Sequence, residues 1–182
     1  MQSPFASRRA LKSAALAVVV VAGGFLVASA TSSSASGKGS EEVRMLDECD
    51  PATFNAAGIS CVGHGDVTFP ELLATLTPAI GGHEDWKFKP STLKVKTGTS
   101  LHVVNRGGEG HTFTEVSAFG AGFVAPLNGA LPPGTPLATI VGSTDTIPAG
   151  GGITISGLAP GVHMFQCMIH PWMRTTITVG KS

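Results

Sequence analysis

Apolar and polar positions alternate through most of the second half of this chain. Leu93-Lys-Val-Lys96 and Ser100-Leu-His-Val-Val-Asn105 alternate on either side of the turn Thr97-Gly-Thr99. His111-Thr-Phe-Thr-Glu-Val116 forms a further strand pattern, and Pro136–Val141 and Gly152–Ser156 are weaker ones. Gly161–Cys167 and Arg174–Val179 close the series. Short period-two stretches separated by Gly, Pro and Asn turns, from about Gly82 onward, predict an all-β sandwich. The stretch 118–136, rich in Gly, Ala and Pro, matches no element, and no internal repeat is present.

Before residue 82 the pattern differs. Arg8, Arg9 and Lys12 precede an apolar run over 14–28, and Ala28-Ser-Ala30 is a small-residue cleavage site. Together they predict an export signal over 1–30. Ser7-Arg-Arg9 is also a partial match to a twin-arginine signal, broken by Lys12. Left uncleaved, the apolar run would serve as a membrane tether, although it is short for a span. Residues 31–45 open with the composition of a flexible linker. Residues 46–81 form an N-terminal extension. In it, Thr68 and Glu71 have capping-box spacing, and Pro70 suits a first helical turn. A short helix ending before Pro78 is expected, packed through Leu72, Leu73 and Leu76. The main domain occupies 82–182.

The 182 residues leave room for one domain with a core plus these extra segments. A formal net charge of zero hides an asymmetry. Residues 1–30 hold three of the twelve basic residues and no acid, so the remainder carries nine basic and twelve acidic groups. Mild acidity argues against nucleic acid as a partner, which calls for a basic patch.

Cysteine usage changes the picture more. An exported protein normally pairs its cysteines. Of the three, Cys49 and Cys61 flank a turn-rich loop and are expected to form a disulfide. Cys167 is left over and needs a separate reason.

That reason lies in Phe165–Thr176, where Cys167, His170 and Met173 stand at the spacing Cys-x2-His-x2-Met. A thiolate, an imidazole and a thioether are three of the four ligands of a blue-copper site. His111, 56 positions before Cys167 and preceded by Asn105, is the candidate for the fourth. Soft sulfur donors favour copper and stabilise Cu(I), and imidazoles serve both oxidation states. Cys167 ends one strand, His170 sits in a turn stiffened by Pro171, and Met173 starts the return strand. The Cys sulfur should accept backbone N–H bonds, with Thr112 and Asn105 supporting the site. A Cys, a His and a Met at strand ends would also suit a plain core. That reading leaves the spacing, the unpaired Cys and the Asn/His pair unexplained together. Among the other histidines, His163 shares the inward parity of Phe165 and is expected to be packed and hydrogen-bonded. His102 is expected to face solvent, and His64 and His83 lie in loops.

From about Trp86 to Val179 the chain resembles the cupredoxins of the plastocyanin, pseudoazurin and amicyanin group. Phe88-Lys-Pro90, Leu93-x-Val95, the Gly98 turn, a strand ending in Asn105, and then His111 match the first half of that pattern. Gly161-x-His-x-Phe-x-Cys167, His170 and Met173 match the second, with a ligand loop of the amicyanin form. The resemblance covers roughly half the chain and says nothing of residues 31–80.

It implies a Greek-key, cupredoxin-like β-sandwich carrying one type 1 copper on His111, Cys167, His170 and Met173. It implies a single-electron carrier, not an enzyme, and with the export signal over 1–30 the protein is expected to work as a monomer in the periplasm or outside the cell. It also implies a partly exposed His170, ringed by Pro171, Trp172 and apolar residues of 118–126, as the docking face for a redox partner protein. The alternative is copper storage or delivery, which usually relies on Met- and His-rich tracts that this chain lacks. A copper enzyme would need further His ligands, commonly as His-x-His, and none occurs. A binuclear centre would need a second Cys in the loop, and only Cys167 is there.

Overall fold

The computed structural model describes residues 39–181. The expected export signal over 1–30 lies outside the described residues. Eleven strands are present: β1 (Ser40–Leu46), β2 (Lys87–Lys89), β3 (Thr92–Lys96), β4 (Ser100–Asn105), β5 (His111–Thr112), β6 (Thr114–Ala118), β7 (Thr139–Ile140), β8 (Thr146–Ile147), β9 (Gly152–Ile155), β10 (Gly161–Gln166) and β11 (Arg174–Gly180). One sheet runs β2-β1-β4-β9 and the other β3-β11-β10-β6-β7, with β5 and β8 as a separate pair. The chain changes sheet between β2 and β3, between β3 and β4, and between β9 and β10, the interleaving of a Greek-key sandwich.

Strand periodicity builds the core. Leu101 and Val103 of β4, Val43 and Met45 of β1, and Ile177 and Val179 of β11 point inward from the two sheets into one cluster with Phe113 and Phe165. Phe113 stacks on Phe165 at 4.4 Å between ring centroids and meets Phe88 at 5.1 Å.

β1 corrects the expected organisation. Residues 40–45 were placed in the linker, but they pair in parallel with β4 from Ser40↔Ser100 to Met45↔Asn105. Val43 and Met45 face the core while Glu42 and Arg44 remain outside. Leader-like Ser/Gly composition just upstream obscures this alternation. The expected domain boundary at 82 therefore has a strand of the main sheet on its far side.

The extension between β1 and β2 holds two short helices, α1 (Pro51–Ala56) and α2 (Phe69–Ala74). α2 has the expected capping box between Thr68 and Glu71. Its Leu72 is buried, but Leu73 is exposed, contrary to expectation, because a helix of six residues has room for only one inward row. α1 starts on Asp50, whose carboxylate accepts from the N–H groups of Ala52 and Thr53, with Pro51 at the first helical position. Cys49 and Cys61 form the expected disulfide across α1. Asn55 closes the same loop by donating to the Cys61 carbonyl at 2.9 Å. Among the described residues, no helix is long and apolar enough to cross a membrane.

Candidate metal centre

Two loops meet at one end of the sandwich. The first joins β4 to β5. Asn105, fully buried, donates through Nδ2 to the carbonyls of Glu109 (2.7 Å) and Ile147 (3.0 Å), and its Oδ1 accepts from Gly107 N–H (3.0 Å). These bonds fold the loop back on itself and tie it to β8, which pairs with β5 through His111↔Ile147. His111 is thereby fixed facing inward.

The second loop joins β10 to β11. Cys167 N–H donates to the Met173 carbonyl at 3.0 Å, and Met173 N–H donates to the His170 carbonyl at 2.9 Å. The seven-residue excursion, 167–173, is thus closed on itself by backbone bonds.

His111, Cys167 and His170 come together, each offering one ligand atom, with all three atoms within 4.8 Å of one another. The Cys167 Sγ is 3.9 Å from Nδ1 of His111 and 3.9 Å from Nδ1 of His170. It also accepts from the N–H groups of Thr112 and His170, both at 3.4 Å. Thr112 contributes again through its hydroxyl, which accepts from Met168 N–H at 2.8 Å and joins the two loops. Met173 is fully buried at the base of the second loop. A buried thiol facing two imidazole nitrogens and two N–H donors suits a soft, borderline metal held by nitrogen and sulfur.

The electrostatics agree. Burial pushes the Cys167 thiol up, but the two imidazoles outweigh it and hold the thiol well below its ordinary value. Burial pushes His111 down, yet its bond to the Asp47 carboxylate and the neighbouring Cys167 raise it to about 9.

Two carboxylates that sequence reasoning missed complete the centre. Asp47 Oδ2 lies 2.8 Å from His111 Nε2, with both side chains fully buried. The signal was available: Asp47 continues the inward parity of Val43 and Met45. Glu109 accepts from Trp86 Nε1 at 2.6 Å and lies 3.6 Å from His170 Nε2. Burial raises its carboxyl above the ordinary range, against the pull of His170 and Trp86. No pattern around Glu109 marked it.

His170 corrects the sequence reading. It was expected to be partly exposed, but it is only 2% accessible. Trp172 stands edge-on to it at 5.5 Å and Trp86 is 6.4 Å away. Pro171 is buried, and Trp172 is half-buried with its Nε1 donating to the His83 carbonyl at 3.1 Å. Phe54 of the extension in turn stacks on Trp86 at 5.9 Å. An apolar cavity of about 300 Å³ remains, walled by Phe54, Phe69, Leu72, Leu127 and Ile169 and reaching Glu109 and His170.

His83 packs edge-on against Trp86 at 5.3 Å, whereas His64, His102 and His163 stand apart from the centre. His163 bonds Glu115 Oε1 at 2.7 Å and the Ala159 carbonyl at 2.8 Å, as a packed residue should. His102 is exposed beside Thr154, and His64 is exposed.

No family model matches the chain, and no curated protein matches it. Similar solved structures include a purple cupredoxin from Nitrosopumilus maritimus, 17% identical over 54% of this chain and 86% of that one, with a TM-score of 0.41. Others are the oxidised plastocyanin from Dryopteris crassirhizoma (19% identity, 76% and 98% covered, TM-score 0.39) and an amicyanin mutant in the Cu(I) form (19%, 51% and 72%, 0.35). All three TM-scores lie below 0.5, so the fold rests on this chain's own strands and the chemistry of the centre on its own residues.

Proposed function

We propose that this protein is an exported single-electron carrier with one mononuclear type 1 copper held by His111, Cys167, His170 and Met173. The observation that carries this reading is the buried triad of two imidazole Nδ1 atoms and one thiolate within 4.8 Å. Copper, when bound, supplies the one-electron couple. The protein's part is to hold the donors still. Backbone bonds fix the Cys167–Met173 loop, Asn105 fixes His111, and burial excludes water, so little rearrangement opposes electron movement. Burial of the donors also speaks against ready release, so copper storage or delivery is the weaker reading.

The partner is a redox protein that docks where His170 borders the apolar cavity. Exposed Leu73 and Val124 form an apolar rim there. Apolar rims of this kind suit small, short-lived encounters. Export follows from the basic and apolar pattern of residues 1–30.

The test is a visible absorption spectrum after addition of Cu(II), repeated after ascorbate. An intense blue charge-transfer band that bleaches and returns on reoxidation is expected, and Cys167→Ser should abolish it. Absence of the band in the unmodified protein, or its survival in Cys167→Ser, refutes the proposal.

A further inference from the structure

Every hydrogen-bond partner of the Asp47 carboxylate is a donor. Its Oδ1 accepts from Cys49 N–H at 3.2 Å and Gly108 N–H at 2.9 Å. Its Oδ2 accepts from Glu109 N–H at 3.1 Å and faces His111 Nε2 at 2.8 Å. With four donors directed at its two oxygens, a protonated carboxyl would forfeit one of these bonds, so the ionised form is the one this cage fits. Gly107 is part of the cage, since a Cβ there would overlap the carboxylate. The orientation of His111 follows from its two ends. Nδ1 faces Cys167, so Nε2 is left to carry the hydrogen and donate it to Asp47.

We infer that Asp47 is a positioning residue that holds His111 by its outer nitrogen and lowers the reduction potential of the centre. This deepens the copper reading and rests on it. A reduced Cu(I)–thiolate unit is formally neutral, which leaves Asp47 as a buried, uncompensated negative charge apart from its hydrogen bonds. Loss of one electron makes that unit positive and gives Asp47 a buried counter-charge. In a low-dielectric interior such pairing is strong, and an unpaired buried charge is costly. The oxidised state is therefore favoured relative to the same four ligands with a neutral residue at position 47. Glu109 supplies the comparison. It lies 3.6 Å from His170 Nε2, beyond hydrogen-bonding distance, and its carboxylate is engaged by Trp86.

The experiment measures midpoint potentials of the copper-loaded protein, Asp47→Asn and Glu109→Gln, each with its visible spectrum. For Asp47→Asn the ratio of Cu(II) to Cu(I) affinities should fall at least tenfold, an upward shift of about 59 mV or more for one electron. Glu109→Gln should shift less. An unchanged potential in Asp47→Asn with its blue band intact overturns this inference and leaves the copper reading standing. A missing band in the unmodified protein ends both. A second measurement avoids any folding defect in Asp47→Asn. In the unmodified reduced protein, imidazole NMR should show the His111 Nε2–H strongly downfield and slow to exchange. A fast-exchanging or unshifted resonance there overturns the assignment.

Discussion

Replacing Phe54 by Ala tests whether the extension is a working part of the metal-bearing end. Phe54 is the only buried residue of α1. It stacks on Trp86 at 5.9 Å and 15°, and it meets Phe69 edge-on at 5.3 Å and 70°. Truncating a fully buried Phe costs about 3–5 kcal/mol. The two aromatic contacts account for about 0.5–1.5 kcal/mol each of that. The apolar cavity beside Phe54 supplies no side chain to fill the gap, so a value of about 4 kcal/mol is expected. Against a total stability of about 5–15 kcal/mol this is a large fraction. At about 3 °C per kcal/mol for a domain of this size, the Tm should fall by roughly 12 °C. Melting followed both by near-ultraviolet circular dichroism and by the copper absorption band is the assay. Phe54→Leu, which keeps apolar volume, should lose less. Loosening the cover should also speed oxidation of the reduced protein by a small anionic oxidant, since His170 is shielded beneath it. A Tm within about 3 °C of the unmodified protein, with unchanged oxidation rate, refutes the view that Phe54 clamps the extension over the centre.

Removing the Cys49–Cys61 bridge by double Ser replacement reopens a loop of sequence separation 12, and loop-closure entropy predicts a loss of about 3 kcal/mol, read as a lower denaturation midpoint. An unchanged midpoint would mean that Asn55 and α1 hold the loop alone. Gly82 has φ +94° and packs against the Trp172 ring, so Gly82→Ala meets both backbone strain and overlap and should cost about 1–3 kcal/mol. Gly58, at φ +79° with open space around it, should lose less on the same change, and equal losses at the two sites would refute the packing role of Gly82. Burial lowers the pKa of His163, but its bonds to Glu115 and the Ala159 carbonyl raise it further, to a net value above the ordinary 6.5. The pair's contribution is therefore complete below pH 6.5 and fades as pH rises through the folded-state value. The Tm gap between the protein and His163→Gln should accordingly be wider at about pH 6 than at about pH 9, and a gap that widens with pH would refute the pairing.

Much of the sandwich was legible because β-strands carry their own period. β4, β10 and β11 appear in the sequence with close to their observed bounds, and the capping box announced α2. α1 was readable in principle from Asp50-Pro51, but its single buried residue gives no repeating pattern. β1 was hidden by the Ser/Gly composition before it, although Val43, Met45 and Asp47 keep strict alternation. β8, two residues long, has no pattern to read. Its existence depends on pairing with His111.

The chain alone determined the donor types, their spacing in the Cys167–Met173 loop and the strand periodicity around them. These are local properties, since Cys-x2-His-x2-Met fixes which atoms one tight loop can present, and alternation fixes which side chains face inward. Only the tertiary structure decided what surrounds those donors. Asp47 reaches His111 from 64 positions away, and Trp86, on which Phe54 stacks, lies 6.4 Å from His170 with no periodic link to the loop. A residue's burial depends on which distant element covers it, and a linear pattern cannot carry that information. The exposed edge expected of His170 was accordingly lost to a cover that exists only once the chain is folded.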